Sequence, residues 1–152
     1  MKTIKVSWTQ YHKLVDNLAE QIKKSGKVYK AVYSPDNPML AFLLSKKLEM
    51  QLHKHWSSMN SIYKMSFIDK EYLKCMDPET TLVVSDIINT GNTREKYKYF
   101  DFACLYFNTK GGRLTEPNYL HSISTRVKTY WLKTIDNEGT KVIMPWEKEI
   151  KQ

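Results

Sequence analysis

The segment from residue 80 to residue 93 constrains the fold more than any other part of the sequence. It begins with Thr-Thr-Leu-Val-Val, a continuously apolar and β-branched run that predicts a buried strand ending at Ser85-Asp86. Thr90-Gly91-Asn92-Thr93 then predicts a tight turn, and a helix restarts near Arg94. A strand that leads through a turn into a helix is the unit of a parallel α/β sheet, where ligands bind beyond the carboxyl ends of the strands.

The first half of the chain also alternates between helix and strand. Ser7 and Gln10 form a capping box, and apolar residues at helical spacing continue this helix until Gly26 closes it. Residues 27–34 predict a short buried strand. Asn37-Pro38 predicts the start of a second helix that ends at about Leu48, with Asn37 as N-cap.

The remaining segments complete this pattern. The further strands are expected at 51–56, 61–68, 102–107, 130–132 and 141–144, with a loop or short helix at 71–77 and a loop at 108–128. The order of elements predicts a single domain over residues 1–152, of α/β class, with a parallel twisted sheet covered by helices on both faces.

Composition limits the class of protein. The two cysteines, Cys75 and Cys104, form no metal-binding or redox pair, so reduced thiols in the cytoplasm are expected. The first residues lack the apolar core of a signal peptide, and no run reaches the roughly 18 apolar residues of a membrane span.

The net charge of +8 attracts anionic partners. Because the lysines are scattered, a solvated surface is favoured over a dedicated nucleic-acid stripe.

The turn at residues 90–93 has the chemistry of a phosphate site. Gly91 lets the backbone approach an anion closely, while Thr90, Asn92 and Thr93 offer side-chain and main-chain donors at the start of a helix. Asp86 can accept from sugar hydroxyls or meet a phosphate-bound Mg²⁺. The alternative is that Thr-Gly-Asn-Thr is only a polar turn with a helix cap.

The segment 81–93 resembles the PRPP-binding motif of type I phosphoribosyltransferases, in which an apolar strand, two acids and two apolar positions precede a Thr-Gly phosphate loop. The wider chain resembles the small purine branch of that family. It opens with a Ser7-Trp8 helix, continues with the apolar helix of residues 41–48, and closes with Pro145-Trp146-Glu147.

This resemblance implies an enzyme that joins the ribose 5-phosphate of PRPP to a purine-type nucleobase with Mg²⁺ and releases pyrophosphate. It also implies a small C-terminal hood and a homo-oligomer, either dimer or tetramer. The implied 5′-phosphate and ribose site comprises Ser85, Asp86, Thr90, Gly91, Asn92 and Thr93. Asp86 is the implied metal ligand, and Asp86 and Asn89 take the catalytic positions. The implied pyrophosphate loop is Ser34, Pro35, Asp36 and Asn37, and the implied base-binding residues are Lys110, Trp131, Lys141 and Ile143.

Four positions depart from the family pattern. Ser85 and Asn89 stand where the purine branch has acids, and Lys141 stands where it has a stacking aromatic residue. The loop at 35–37 reads Pro-Asp-Asn instead of Arg-Gly-Gly, which removes a cation and adds an anion. A catalytically weak or inactive protein that binds a nucleotide or PRPP is therefore the alternative. A nucleic-acid-binding regulator that uses the positive charge is a third, less favoured hypothesis.

Overall fold

The computed structural model describes residues 2–55, 77–89, 91–108, 127–135 and 139–147, with side chains in the first range described up to Leu48. The elements are β1 (Thr3–Lys5), α1 (Trp8–Lys24), β2 (Ala31–Tyr33), α2 (Pro38–His55), β3 (Thr81–Ile88), α3 (Asn92–Lys96), β4 (Asp101–Asn108), β5 (Thr129–Ile135) and β6 (Lys141–Ile143).

A four-stranded parallel sheet organises the domain, with the strands in the order β2-β3-β4-β5. In its centre Ser85 lies opposite Cys104, and Cys104 lies opposite Trp131. Since all four strands run the same way, their carboxyl ends meet at one edge of the sheet. The predicted parallel α/β fold is confirmed.

Helical segments cover both faces of this sheet. On one face α1 lies over β4 and β5, and α2 lies over β2 and β3. Leu18 and Leu44 are fully buried there against strand residues such as Val84. Helix α3 and the residue after it cover the other face. There the guanidinium carbon of Arg94 lies 5.3 Å from the centre of the Phe102 ring, and Tyr97 packs in the same apolar cluster as Phe102.

The capping box of α1 is confirmed. The Gln10 backbone N–H donates to Ser7 Oγ at 3.1 Å, and the Ser7 N–H donates to Gln10 Oε1 at 2.9 Å. These two bonds satisfy donors that a helix start otherwise leaves without a partner. They fix the start of α1, and with it the position of Tyr11 one turn later.

A small second sheet joins β1 to β6 in parallel, with Ile4 opposite Val142. The short C-terminal strand agrees with the prediction, whereas β1 was not predicted because three residues carry too little pattern. The pairing places residues 142–147 beside the first turns of α1, where Trp146 packs against Trp8 and Tyr11.

A buried carboxylate, that of Asp101, stabilises the edge of the four-stranded sheet at which the strands begin. Asp101 is 2% exposed and accepts hydrogen bonds from the Tyr29 hydroxyl at 2.6 Å and the Lys128 N–H at 2.9 Å. Lys27 forms an ion pair with the same carboxylate. The charge of Asp101 is therefore compensated by three donors, as a buried carboxylate requires.

Two predicted boundaries were wrong. Helix α2 continues to His55, so residues 51–55 are helical and not a strand, because nothing in Glu-Met-Gln-Leu-His-Lys-His breaks a helix. Strand β3 does not end at Ser85-Asp86 but continues to Ile88, since Ile87 and Ile88 pair with β4.

Other expectations are met with different limits or cannot be compared. The strand predicted over 27–34 is confined to Ala31–Tyr33. The strand predicted at 61–68, most of the 71–77 segment and most of the 108–128 loop lie outside the described residues. Among the helices described, none combines the length and apolar character needed to cross a membrane.

Candidate functional site

A pocket of about 260 Å³ opens at the carboxyl side of the sheet, between β3, the loop before α2 and the segment after β5. Its lining residues are Asp36, Asn37, Asp86, Ile87, Val142, Met144, Trp146 and Glu147. The pocket thus combines three carboxyl groups, one amide and one aromatic ring with an apolar wall.

Asp86 lies at the centre of the hydrogen bonding in this pocket. The Asn37 amide donates to its Oδ2 at 2.9 Å, and the Tyr11 hydroxyl donates to its Oδ1 at 3.3 Å. Burial is the main reason that the pKa of the Asp86 carboxyl rises to about 6; the negative charges of Asp36 and Glu147 also raise this pKa, while the two donors lower it. A carboxyl with this pKa exists in both protonation states near neutral pH.

The loop 34–37 is held to β3 by side-chain hydrogen bonds. Asp36 accepts from the Ser34 hydroxyl at 3.2 Å and from the Ser85 hydroxyl at 2.8 Å. The Asn37 backbone N–H donates to Ser34 Oγ at 2.9 Å. As predicted, Asn37 caps α2, because its Oδ1 accepts from the Met39 N–H at 3.2 Å. The loop therefore uses its polar groups to hold its own conformation against Ser85.

Trp146, which lines the pocket, belongs to an aromatic cluster with Trp8 and Tyr11. The ring centre of Trp146 lies 5.1 Å from that of Tyr11, edge to face, and 6.0 Å from that of Trp8. Trp146 stays 39% exposed. Burial and the charge of Asp86 raise the pKa of the Tyr11 hydroxyl above its usual range, so this hydroxyl remains a donor.

The contribution of Tyr11 was missed at the level of sequence, since helical spacing assigns it only to the core. The one available signal is general: a buried tyrosine hydroxyl needs a hydrogen-bond partner. Trp146 and Glu147 were noted only as part of the closing Pro-Trp-Glu motif, without a role.

Of the predicted phosphate-binding turn at residues 90–93, the structure describes residues 91–93. Gly91 has φ of +86° and immediately precedes α3, so the residue with no Cβ stands where the backbone is left-handed. Asn92 and Thr93 are exposed, and Thr90 lies outside the described residues. Arg94 is buried and donates to the Tyr97 carbonyl oxygen at 2.9 Å, which holds the turn against the sheet. Phosphate binding by residues 90–93 stays a prediction.

The predicted base-binding residues that the structure describes do not line this pocket. Trp131 packs against Phe107 at 5.3 Å between ring centres, within the apolar cluster of the α3-side face. Lys141 is exposed and Ile143 is buried on β6, whereas the alternate residues of that segment, Val142 and Met144, line the pocket. Lys110 lies outside the described residues.

Asn89, the other predicted catalytic position, follows the end of β3. Its Oδ1 accepts a hydrogen bond from the Asn108 amide at 3.0 Å, which ties the ends of two neighbouring strands together. Asn89 is not among the residues that line the pocket around Asp86.

Solved structures of other proteins, including these three, share this fold. A purine phosphoribosyltransferase from Pyrococcus horikoshii matches 100% of this chain and 98% of its own at 15% identity, with a TM-score of 0.61. A hypothetical protein from Neisseria gonorrhoeae, solved with bound ppGpp, matches 97% of this chain and 90% of its own at 14% identity, also with a TM-score of 0.61. The xanthine-guanine-hypoxanthine phosphoribosyltransferase of Helicobacter pylori matches 95% and 91% at 18% identity, with a TM-score of 0.50.

No protein-family model matches the sequence, and no curated protein matches it. The structural similarity nevertheless extends over nearly the whole chain. The chain therefore has the fold of the purine phosphoribosyltransferases, which confirms the fold that the resemblance implied.

Proposed function

We propose that this protein binds a phosphoribosyl compound in the Asp86 pocket and transfers the phosphoribosyl group of PRPP to a purine-type nucleobase. The observation that carries the proposal is Asp86, a largely buried carboxyl with a pKa of about 6 that faces a pocket at the carboxyl side of the sheet. This is the side on which open α/β folds bind ligands.

The chemistry of Asp86 suits such a transfer. In the proposed reaction the bond from ribose C1 to pyrophosphate breaks, a bond from C1 to a base nitrogen forms, and the base nitrogen loses its proton. A carboxylate whose pKa lies near the working pH is an effective acceptor for that proton. Each Asp86 oxygen holds one protein donor, which leaves lone pairs for a ribose hydroxyl or the base.

Magnesium fits the donor set of this pocket. Asp86 and Asp36 offer carboxylate oxygens, and Mg²⁺ binds through one or two carboxylates together with substrate phosphates. Among the described residues no group of three or more His, Cys, Asp or Glu is placed to hold a metal alone. Asp86 and Asp36 would hold the ion only together with ligand oxygens, and bound Mg²⁺ would neutralise charge on the departing pyrophosphate.

Trp146 is the aromatic residue best placed to stack on a base. Its side chain lines the pocket and is partly exposed to solvent, and its ring also packs against the rings of Trp8 and Tyr11. Tryptophan rings that are partly exposed stack well on nucleobases. This assignment replaces Trp131, whose ring is packed against Phe107 in the structure.

A second candidate, nucleotide binding without transfer, is favoured by the loop 34–37. A pyrophosphate site needs donors, yet Pro35 and Pro38 have no N–H, the Asn37 N–H already donates to Ser34, and Asp36 adds a negative charge. The ppGpp bound to the similar Neisseria protein points to a guanine nucleotide as the ligand to try.

Pyrophosphate release separates the two candidates. We would mix the protein with PRPP, Mg²⁺ and guanine, xanthine or hypoxanthine in turn, and measure pyrophosphate and the matching 5′-monophosphate. Transfer predicts release that is lost in Asp86→Asn and kept in the control Asp16→Asn. Asp16 lies on α1, pairs with Lys47 of α2, and does not line the pocket. Binding of GMP or ppGpp by calorimetry with no release would support the second candidate. Neither binding nor release would reject both.

A further inference from the structure

A second cavity, of about 330 Å³, lies between α1, β1 and the α1-facing side of β4 and β5. Its lining residues are Ile4, Lys5, Gln10, Lys13, Leu14, Asn17, Tyr106 and Lys133. None of these residues lines the Asp86 pocket, so the two cavities are separate.

All the charged residues that line this cavity are positive. Lys5, Lys13 and Lys133 come from three different elements and converge on it, and no carboxylate is among the lining residues that the structure describes. Neither Lys13 nor Lys133 forms an ion pair within the described part of the chain. A concave surface with converging positive charges concentrates anions.

Tyr106 adds a hydroxyl donor to the wall of the cavity. This residue is 4% exposed overall and lines the cavity, so most of its side chain is held by the core. Burial also raises the pKa of Tyr106, which keeps the hydroxyl protonated and able to donate.

We infer that this cavity binds the phosphate group of a small phosphorylated molecule. The ammonium groups of Lys13 and Lys133 and the Tyr106 hydroxyl would donate to the phosphate oxygens, while the side-chain amides of Gln10 and Asn17 add polar contacts. Ile4 and Leu14 supply an apolar wall for the organic part of the ligand. The volume lies at the lower end of the range of about 300–1,000 Å³ for small-molecule sites.

The test is a titration of the full chain with inorganic phosphate at constant ionic strength, followed by NMR of the side-chain amide signals. We expect the Gln10 and Asn17 signals to shift. The double variant Lys13→Gln/Lys133→Gln should weaken this phosphate binding at least tenfold, and Tyr106→Phe should weaken it several-fold without altering the core.

The control is Lys23→Gln/Lys98→Gln, which removes the same charge from two lysines that pair with Glu20 and Glu95 elsewhere. Equal weakening in both double variants would show a general charge effect and overturn the proposal. Shifts confined to the Asn37 amide would place phosphate only in the Asp86 pocket and would also overturn it. Asp86→Asn should leave the Gln10 and Asn17 shifts unchanged, so failure of the proposed transferase function would be seen separately.

Discussion

The side-chain amide of Asn37 donates a 2.9 Å hydrogen bond to Oδ2 of Asp86. This bond joins the loop where the resemblance implies pyrophosphate binding to the strand where it implies ribose and metal binding. Because the same amide lies 3.4 Å from the Tyr11 hydroxyl, Asn37 connects α1, α2 and β3 at one point. A ligand that reaches both the implied pyrophosphate site and the implied ribose site would therefore contact Asn37, or replace one of its hydrogen bonds.

Replacing Asn37 should change the acidity of Asp86. The Asn37 hydrogen bond lowers the Asp86 pKa, so Asn37→Ala should raise that pKa above its value of about 6. A pH titration of the ¹³C carboxyl signal of Asp86 measures this directly. Asn17→Ala, which alters a residue on α1 outside the pocket, should leave the titration unchanged. An unchanged pKa in Asn37→Ala would show that the hydrogen bond does not stabilise the carboxylate.

Asp86 should make folding stability depend on pH. Its pKa rises from 3.8 to about 6 on folding, so the folded chain holds a proton that the unfolded chain releases between about pH 4 and 6. The stability contribution of Asp86 is thus highest in acid and falls as the pH rises through this window, by at most about 3 kcal/mol.

Urea unfolding of the wild type and of Asp86→Asn between pH 4 and 7 tests this dependence. The free energy of unfolding of the wild type, minus that of the variant, should decrease as the pH rises. A difference that stays constant or increases with pH would contradict the raised pKa.

Trp146→Ala should weaken nucleotide binding in the Asp86 pocket by about tenfold, since stacking on an aromatic ring contributes about 1–3 kcal/mol per base. Calorimetric titration with GMP gives the affinity. Tyr99→Ala serves as the control because Tyr99 is 69% exposed and belongs to neither the pocket nor the aromatic cluster. If the two variants bind equally well, the base does not stack on Trp146.

Thr93→Val tests the predicted phosphate-binding turn. Thr93 is exposed at the start of α3, so loss of its hydroxyl should leave the fold intact but weaken binding of a 5′-mononucleotide about tenfold, or roughly 1.4 kcal/mol. Thr9→Val makes the same change at an exposed position of α1 and should have no effect. Wild-type affinity in Thr93→Val would place the 5′-phosphate elsewhere.

Asp101→Ala should destabilise the fold by about 3–5 kcal/mol, because it leaves the Lys27 ammonium and the Tyr29 hydroxyl without their acceptor. The double variant Lys27→Met/Asp101→Ala should lose less free energy of unfolding than the two single variants lose together. Chemical unfolding of the four proteins measures the coupling, and strictly additive losses would show that the pair is not coupled. The network lies at the amino edge of the sheet, opposite the pocket.

The sequence predicts the elements of this fold better than their ends. The capping box at Ser7 and the apolar spacing after it locate α1, because these signals are local. The end of β3 could not be predicted, since Ile87 and Ile88 are strand residues only through pairing with β4. Strand β1 depends in the same way on its partner β6.

The candidate site was predicted only where its residues follow a strand. Asp86 was anticipated from the expected end of its strand, whereas Asp36 and Asn37 were implied by the family resemblance; the structure places all three around one pocket. Tyr11 and Trp146 reach the pocket through tertiary contacts between distant segments, which no local pattern encodes.

The parallel pairing of Thr3–Lys5 with Lys141–Ile143 also bears on how the molecule is made. Strand β6 leads directly into Met144, Trp146 and Glu147, which close one wall of the pocket. During synthesis, β1 must wait for nearly all of the chain before it finds its neighbour. The pocket wall that contains Trp146 and Glu147 therefore forms only after these residues have left the ribosome, in a late stage of folding.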